Sequence, residues 1–261
     1  MNSKITNNSF ATLCLALDFF TTGCISNKEG EKQIENIEVA MNAPLIQEEA
    51  ESPACKITAN LAHLKEQGDE DSIAHRINQE ILTISLGDQY KELPIQVAID
   101  SFKNEYIANY RKEVNEFYQE DIKNAENKKA IPSWYNYEFM LTTELREGKE
   151  GIFNYISTIM EYRGGAHPNQ WSKWINFCQK NGEQIKLEDC FIPGYKKPVS
   201  ALLLKSLIPE MAKNLNDSTI QSLEDLQNNG ILSYTDIYVP DNFLLKREGI
   251  PFLYNKYDIA P

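Results

Sequence analysis

The sequence predicts an α+β fold in which an antiparallel sheet packs with helices in two abutting subdomains. Three observations point there. Apolar residues recur at helical spacing up to residue 121, and the period changes after Ile131-Pro132. Beyond that breaker, runs rich in Tyr, Phe, Ile and Thr are joined by short Gly-bearing turns, the mark of hairpins. No strand–helix–strand rhythm and no internal repeat occurs, which argues against a parallel, doubly wound sheet.

The chain opens with an export signal. Lys4 is the only basic residue ahead of the apolar-leaning run Phe10 to Phe20, and Thr21-Thr22-Gly23 leads into Cys24. With Cys after the cut, the pattern resembles a bacterial lipoprotein lipobox. Residues 1–23 are therefore expected to be a signal peptide, with Cys24 lipidated as the mature N-terminus. No later stretch approaches the ~20 apolar residues of a membrane helix, so lipid alone would attach the chain to the membrane. The expected location is the bacterial cell envelope, at the outer membrane or in the periplasm. Residues 24–51, with SNKEGEK and IQEEAESP, are acidic and poor in aromatics, and predict a disordered tether.

Folding is expected to begin near Cys55, where residues 55–64 read as a strand. Residues 71–86 carry Ile73, Ile77, Ile81 and Ile84 at steps of three and four, a helix. Residues 94–121 make the longest helix, with Ile95, Ile99, Phe102, Tyr106, Ile107, Tyr110, Val114 and Phe117 as one core-facing stripe. Residues 134–145 and 152–162 form a hairpin around Gly148 and Gly151. A second hairpin joins residues 171–177 to 183–187 through Asn181-Gly182. Helices at 198–215 and 219–227 follow, the latter closed by Asn228-Asn229-Gly230. Strands at 232–239, 242–246 and 250–255 finish the chain. The expected division is an N-terminal α+β portion, 52–160, and a C-terminal one, 161–261.

Charge narrows the partners. The chain has 38 acidic and 26 basic residues, a formal net charge of −12 and a pI near 4.8. Nucleic acid is excluded as an expected partner, because phosphate binding needs clustered Lys and Arg. Cationic partners are favoured. Beyond Cys24 the mature cysteines are Cys55, Cys178 and Cys190, which permit at most one internal bridge. A two-residue turn at Asn181-Gly182 would set Cys178 opposite Ile185 and leave Cys190 out of reach. Burial of all three as small apolar residues is the competing reading.

The catalytic inventory is thin. No G-x-S-x-G elbow, phosphate loop or dinucleotide fingerprint is present. His63, His75 and His167 are the only histidines, and neither H-E-x-x-H nor C-x-x-C spacing occurs, so no metal or cofactor is expected. One cluster stands out, Tyr162-Arg163-Gly164-Gly165-Ala166-His167-Pro168-Asn169. Its glycines permit a sharp turn after a strand, and Pro168 biases His167 toward the extended region. Two readings stay open. Tyr162, Arg163 and His167 form a binding hot spot on a rigid loop, or His167 and Tyr162 pin the turn by hydrogen bonds to backbone.

Four runs together carry a family resemblance: Tyr162 to Asn169; Asn176-Phe177 through Lys180-Asn181-Gly182 to Phe191; Pro240-Asp241-Asn242-Phe243 with Glu248-Gly249-Ile250; and Tyr254-Asn255-Lys256-Tyr257-Asp258-Ile259-Ala260-Pro261. In order and spacing they resemble the uncharacterised extracellular domain shared by RsiV-type anti-sigma factors and PdaC-type peptidoglycan deacetylases, over roughly residues 52–261. The resemblance implies an α+β fold in two parts, and in the anti-sigma relatives this domain binds lysozyme. In the deacetylases it accompanies a separate catalytic domain that this chain has no room for. It also implies a further strand after Pro261, without which a sheet edge is left open. The expected function is a non-catalytic, lipid-anchored envelope protein that binds a cationic protein such as lysozyme, or a cell-wall glycan. The alternative is a glycan-modifying hydrolase using paired carboxylates near the Gly164-Gly165 loop, where the loop supplies Glu161.

Overall fold

The computed structural model describes residues 12–15, 32–47, 52–67, 72–124, 133–232 and 237–259. Its centre is a six-stranded sheet in the order β2-β3-β4-β5-β6-β7. The strands are β2 (Ile34–Pro44), β3 (Ala54–Leu64), β4 (Tyr137–Glu147), β5 (Ile152–Arg163), β6 (Asn169–Cys178) and β7 (Gln184–Ile185). Every neighbouring pair is antiparallel except β3 with β4. That parallel pair is joined by a crossover carrying α1 (Ser72–Ser85) and α2 (Ile95–Asn124). The α+β expectation holds.

Side-chain alternation divides the sheet into two faces. Odd-numbered residues such as Ile57, Leu61, Leu141, Tyr155 and Phe177 meet Ile77, Ile81, Ile99, Tyr106 and Tyr110 of α1 and α2 in one core. Asn78 of α1, itself buried, continues the ladder of β3. Its amide accepts from Leu64 N at 2.9 Å and donates to Leu64 O at 2.8 Å. Pro94 starts α2 without loss, since a first-turn N–H has no helical partner. The stripe on α2 runs on to Tyr118, which is 2% exposed, whereas Phe117 is 63% exposed. The edge-to-face contact of Tyr118 with Tyr135, at 5.5 Å between centroids, takes the place expected of Phe117.

Even-numbered residues at the β5–β6 end face a second core. It is built from α3 (Leu187–Cys190), α4 (Lys196–Asn214), α5 (Leu223–Asn228) and β8 (Ile250–Leu253), through Leu187, Leu203, Leu226, Phe243 and Phe252. Trp174 and Ile156 of the sheet join Leu244 and Leu253 across the seam. β5 runs unbroken through 160/161, and the buried residues of the second core begin at Leu187.

Three other expectations change. Residues 34–44, placed in the tether, are β2, paired with β3 from Ile34↔Leu64 to Pro44↔Ala54. Ile37, Val39, Met41 and Ala43 alternate with Asn36, Glu38 and Asn42, a strand period that the acidic composition obscured. Of the remaining tether residues, 24–31, which include Cys24, and 48–51 lie outside the described residues. The second hairpin closes by Cys178 N to Glu183 O at 2.9 Å and Gly182 N to Cys178 O at 2.8 Å. Its loop is four residues long and its pairing is Asn176↔Ile185, two residues out of the expected register. Residues 242–246 form isolated bridges, Phe243↔Phe252 and Lys246↔Gly249, rather than a strand.

β1 (Thr12–Leu15), within the expected signal segment, lies antiparallel along β8 with Thr12 opposite Leu253 and Leu15 opposite Ile250. Cleavage before Cys24 would remove that strand and bare the β8 edge. Cys55, Cys178 and Cys190 are free thiols, Cys55 buried and the other two half-buried. Among the described residues, no helix is long and apolar enough to cross a membrane.

Candidate functional site

The Gly164-Gly165 turn ends β5 on top of a short 3-10 turn, Ser133–Tyr135. Gly164 adopts φ +80°, and a Cβ there would lie 2.3 Å from the carbonyl oxygen of Trp134. Both facts require glycine, and the close approach fixes Trp134 beside the end of β5. The C-terminal half of α2 passes on the other side. Between them lies an open groove of about 660 Å³, lined by Glu113, Glu116 and Phe117 of α2, Trp134 and Tyr137, and Arg163 with Gly164.

Arg163 is the hub. Its Nε donates to Glu161 Oε1 at 2.8 Å, its Nη1 lies 4.0 Å from Glu113 Oε1, and its guanidinium sits 5.4 Å from the centroid of the Tyr106 ring. Tyr106 donates its hydroxyl to Glu161 at 2.9 Å, and Tyr137 donates to Glu113 at 3.3 Å. Burial first, and then the neighbouring carboxylate, pushes both phenols above their ordinary value of 10.0. They stay protonated donors at neutral pH. Two aromatic faces are left to solvent, Phe117 at 63% and Trp134 at 52% exposed. The arrangement therefore offers apolar faces around a fixed cation, with Lys112, Glu113 and Glu116 also in the lining. Among the described residues, no group of three His, Cys, Asp or Glu side chains converges.

The three sequence candidates separate. Arg163 is in the groove, on the helix-covered face. Tyr162, one residue earlier, is half-buried on the opposite face of the sheet. His167 is exposed at the turn, its Nδ1 3.4 Å from the carbonyl of the adjacent Pro168. The turn is pinned by Gly164 against Trp134 rather than by His167. Phe117 and Trp134 went unnoticed because Phe117 fits the helical period of the core stripe and Trp134 the strand pattern beyond the breaker.

The other motif residues form the seam between the two cores. Asn176, fully buried, accepts from Leu245 N at 2.7 Å and from Asn154 Nδ2 at 2.9 Å, and donates to Phe243 O at 3.0 Å. Along the edge of β6 that β7 leaves uncovered, Asn255 accepts from Ser172 N at 2.7 Å and donates to Ser172 O at 3.0 Å. Asn242 accepts from Trp174 N at 3.1 Å and donates to Ser172 O at 3.1 Å. Side-chain amides thus stand where a further strand would supply backbone groups.

Comparison with known proteins fits this geometry. Residues 188–261, nearly the whole second core, match the family described as "Protein of unknown function (DUF3298)". A crystal structure of a DUF3298 family member from Bacteroides fragilis NCTC 9343 is similar at TM-score 0.77 and 27% identity, covering 89% of this chain and 87% of that one. A DUF3298 family protein from Pseudomonas aeruginosa PAO1 shares the fold at TM-score 0.55 and 15% identity, with 90% of this chain and 88% of that one covered. No curated protein matches the chain.

Proposed function

We propose that this is a non-catalytic envelope protein, anchored by a lipid on Cys24, that binds a cationic extracytoplasmic protein in the groove around Arg163. The observation that carries the reading is the pair of exposed rings, Phe117 and Trp134, beside Glu113 and Glu116. Exposed aromatic faces next to carboxylates suit a partner's Lys or Arg, by stacking on the ring and pairing with the acid. The net charge of −12 speeds the encounter with a basic partner. Resemblance to the lysozyme-binding anti-sigma domain points to the same class. The hydrolase alternative is weaker, because the one carboxylate the loop supplies, Glu161, is already engaged within the chain by Arg163 and Tyr106 at the same oxygen.

The test is retention of lysozyme by the immobilised protein at low salt and at 0.5 M, where screening falls to roughly 4 Å. A similarly basic control protein and soluble cell-wall glycan as competitor run beside it. Retention of lysozyme alone at high salt, abolished by Phe117→Ala with Trp134→Ala, supports the reading. If both basic proteins elute together, or if glycan displaces lysozyme and binds by itself, the cationic-protein reading is wrong. Labelling with an alkyne fatty acid checks the anchor, and equal labelling of wild type and Cys24→Ala would sink it.

A further inference from the structure

β2 ends the six-stranded sheet, and among the described residues no strand pairs with its outer edge. The direction of its backbone groups follows from its two ends. Lys65 N donates to Gln33 O and Leu45 N to Pro53 O, each at 2.8 Å. Counting in twos between them, odd-numbered residues of β2 turn their N–H and C=O toward β3. Ile34, Asn36, Glu38, Ala40 and Asn42 therefore direct theirs outward. The carbonyl of Pro44, also even, accepts from Arg111 Nη2 at 3.3 Å, as this parity requires.

The apolar side chains of β2 are as incomplete as its backbone. Leu61, Ala59 and Ile57 of β3 are buried under the helices, whereas their partners Ile37 and Val39 are only partly buried and Met41 is 40% exposed. This strand has eleven residues, with no lysine in it and no proline before its last position. Long edges of that kind pair readily, and short strands, lysines or internal prolines are the usual protection.

We propose that the β2 edge pairs antiparallel with β2 of a second copy of this chain, about a two-fold axis at Val39. The segment is complementary to itself in that register. Val39 faces Val39 and Ile37 faces Met41, completing the half-covered apolar row from both sides. Glu38 falls opposite Ala40 and Asn36 opposite Asn42, as hydrogen-bonded pairs made by the outward groups. Centring on Glu38 would set two carboxylates face to face, and centring on Ile37 would set Glu35 against Val39. A continuous twelve-stranded sheet results, with the grooves around Arg163 at separate sites in the two copies.

Two substitutions test this by different routes. Ala40→Pro removes an outward N–H and leaves the β3 ladder whole. Two intermolecular hydrogen bonds are lost per dimer, so the dissociation constant should rise about tenfold to thirtyfold. Sedimentation velocity of the purified protein is expected to show a concentration-dependent dimer that this variant weakens, with an unchanged circular dichroism spectrum. Val39→Cys should form an intermolecular disulfide on mild oxidation, since a non-hydrogen-bonded pair brings Cα atoms to ~4.5 Å. Ile37→Cys, which faces Met41, should not. A wild type that stays monomeric up to its solubility limit overturns the proposal. So does a dimer that Ala40→Pro leaves intact, or equal cross-linking at positions 37 and 39. Should Ala40→Pro fail to fold, the cysteine pair decides alone.

Discussion

Replacing Asn176 with alanine tests whether the second core is held to the sheet by one buried amide. The substitution removes the acceptor for Leu245 N–H and the donor for Phe243 C=O, at a position with no exposure. Each buried backbone group left without a partner costs about 1–3 kcal/mol. Asn154 also loses its 2.9 Å contact with Asn176, while keeping a longer one to Leu245 O at 3.3 Å. The sum is about 4 kcal/mol, a large share of the roughly 5–15 kcal/mol that holds a domain together. At about 2–4 °C per kcal/mol for a chain of this size, the melting temperature should fall by roughly 8–16 °C.

Urea unfolding followed by tryptophan fluorescence measures the loss, with exposed Asn169→Ala as control. Limited proteolysis locates it. The seam should open first, so cutting should begin beyond Lys186 while the sheet and its two long helices persist. A loss below ~1 kcal/mol, or one equal to the Asn169→Ala control, would falsify the account of Asn176 as a staple.

Gly164→Ala meets both a positive φ and the Trp134 carbonyl, and should cost about 1–3 kcal/mol while reducing lysozyme retention; thermal unfolding and the pull-down read the two effects. Burial raises Cys55 to about 12 and Cys190 to about 11, so at pH 8 neither should react with a disulfide reagent at the rate of an exposed thiol until denaturant is added. Asp217 and Asp225 are held below the usual carboxylate range, Asp217 by the Thr219 hydroxyl and N–H, Asp225 by Gln221 N and the Ser222 hydroxyl. Their folded values lie below their unfolded ones, so the stabilisation is complete above pH ~4 and fades as pH falls through the depressed values. Near-neutral circular dichroism signal from α4 and α5 should therefore weaken in acid, less so in a variant with Asp217→Asn and Asp225→Asn.

Long periodic elements were legible in the sequence and side-chain bookkeeping was not. α1, α2, β3 and β5 lie within a few residues of their expected bounds, because each has enough apolar positions for its period to show. β2 was missed because glutamates on a strand exposed along one face look like a solvated linker. Of the expected strand at 232–239, residues 233–236 lie outside the described residues; its end and the expected strand at 242–246 carry apolar residues for a different reason. Ile237, Phe243 and Leu245 are buried as irregular chain in the second core, where burial and not pairing selects them. The hairpin at Asn181-Gly182 was expected with a two-residue turn. The four-residue loop instead sets Gly182 at φ +73° with its Cβ direction 3.0 Å from the Ile73 carbonyl, a tertiary contact that local pattern cannot reveal.

At the candidate site the same division holds, and it bears on what the resemblance means. The motif residues Asn176, Asn242 and Asn255 are committed to backbone groups of their own chain, with distances of 2.7 to 3.1 Å. Bonds at both amide atoms hold each of these side chains against the backbone it serves, and that is a structural role. In this chain these motifs therefore mark how one core is seated on the other. Phe117 and Trp134 lie outside the motifs, stay exposed and flank Arg163, apart from the seam. The two sets should separate by experiment. Phe117→Ala with Trp134→Ala should abolish lysozyme retention with stability changed by under ~0.5 kcal/mol, as for other exposed positions. Asn242→Ala and Asn255→Ala should lower the unfolding midpoint and leave retention unchanged below it. Loss of retention in the asparagine variants while they remain folded would place the ligand on the seam and remove the groove as its site.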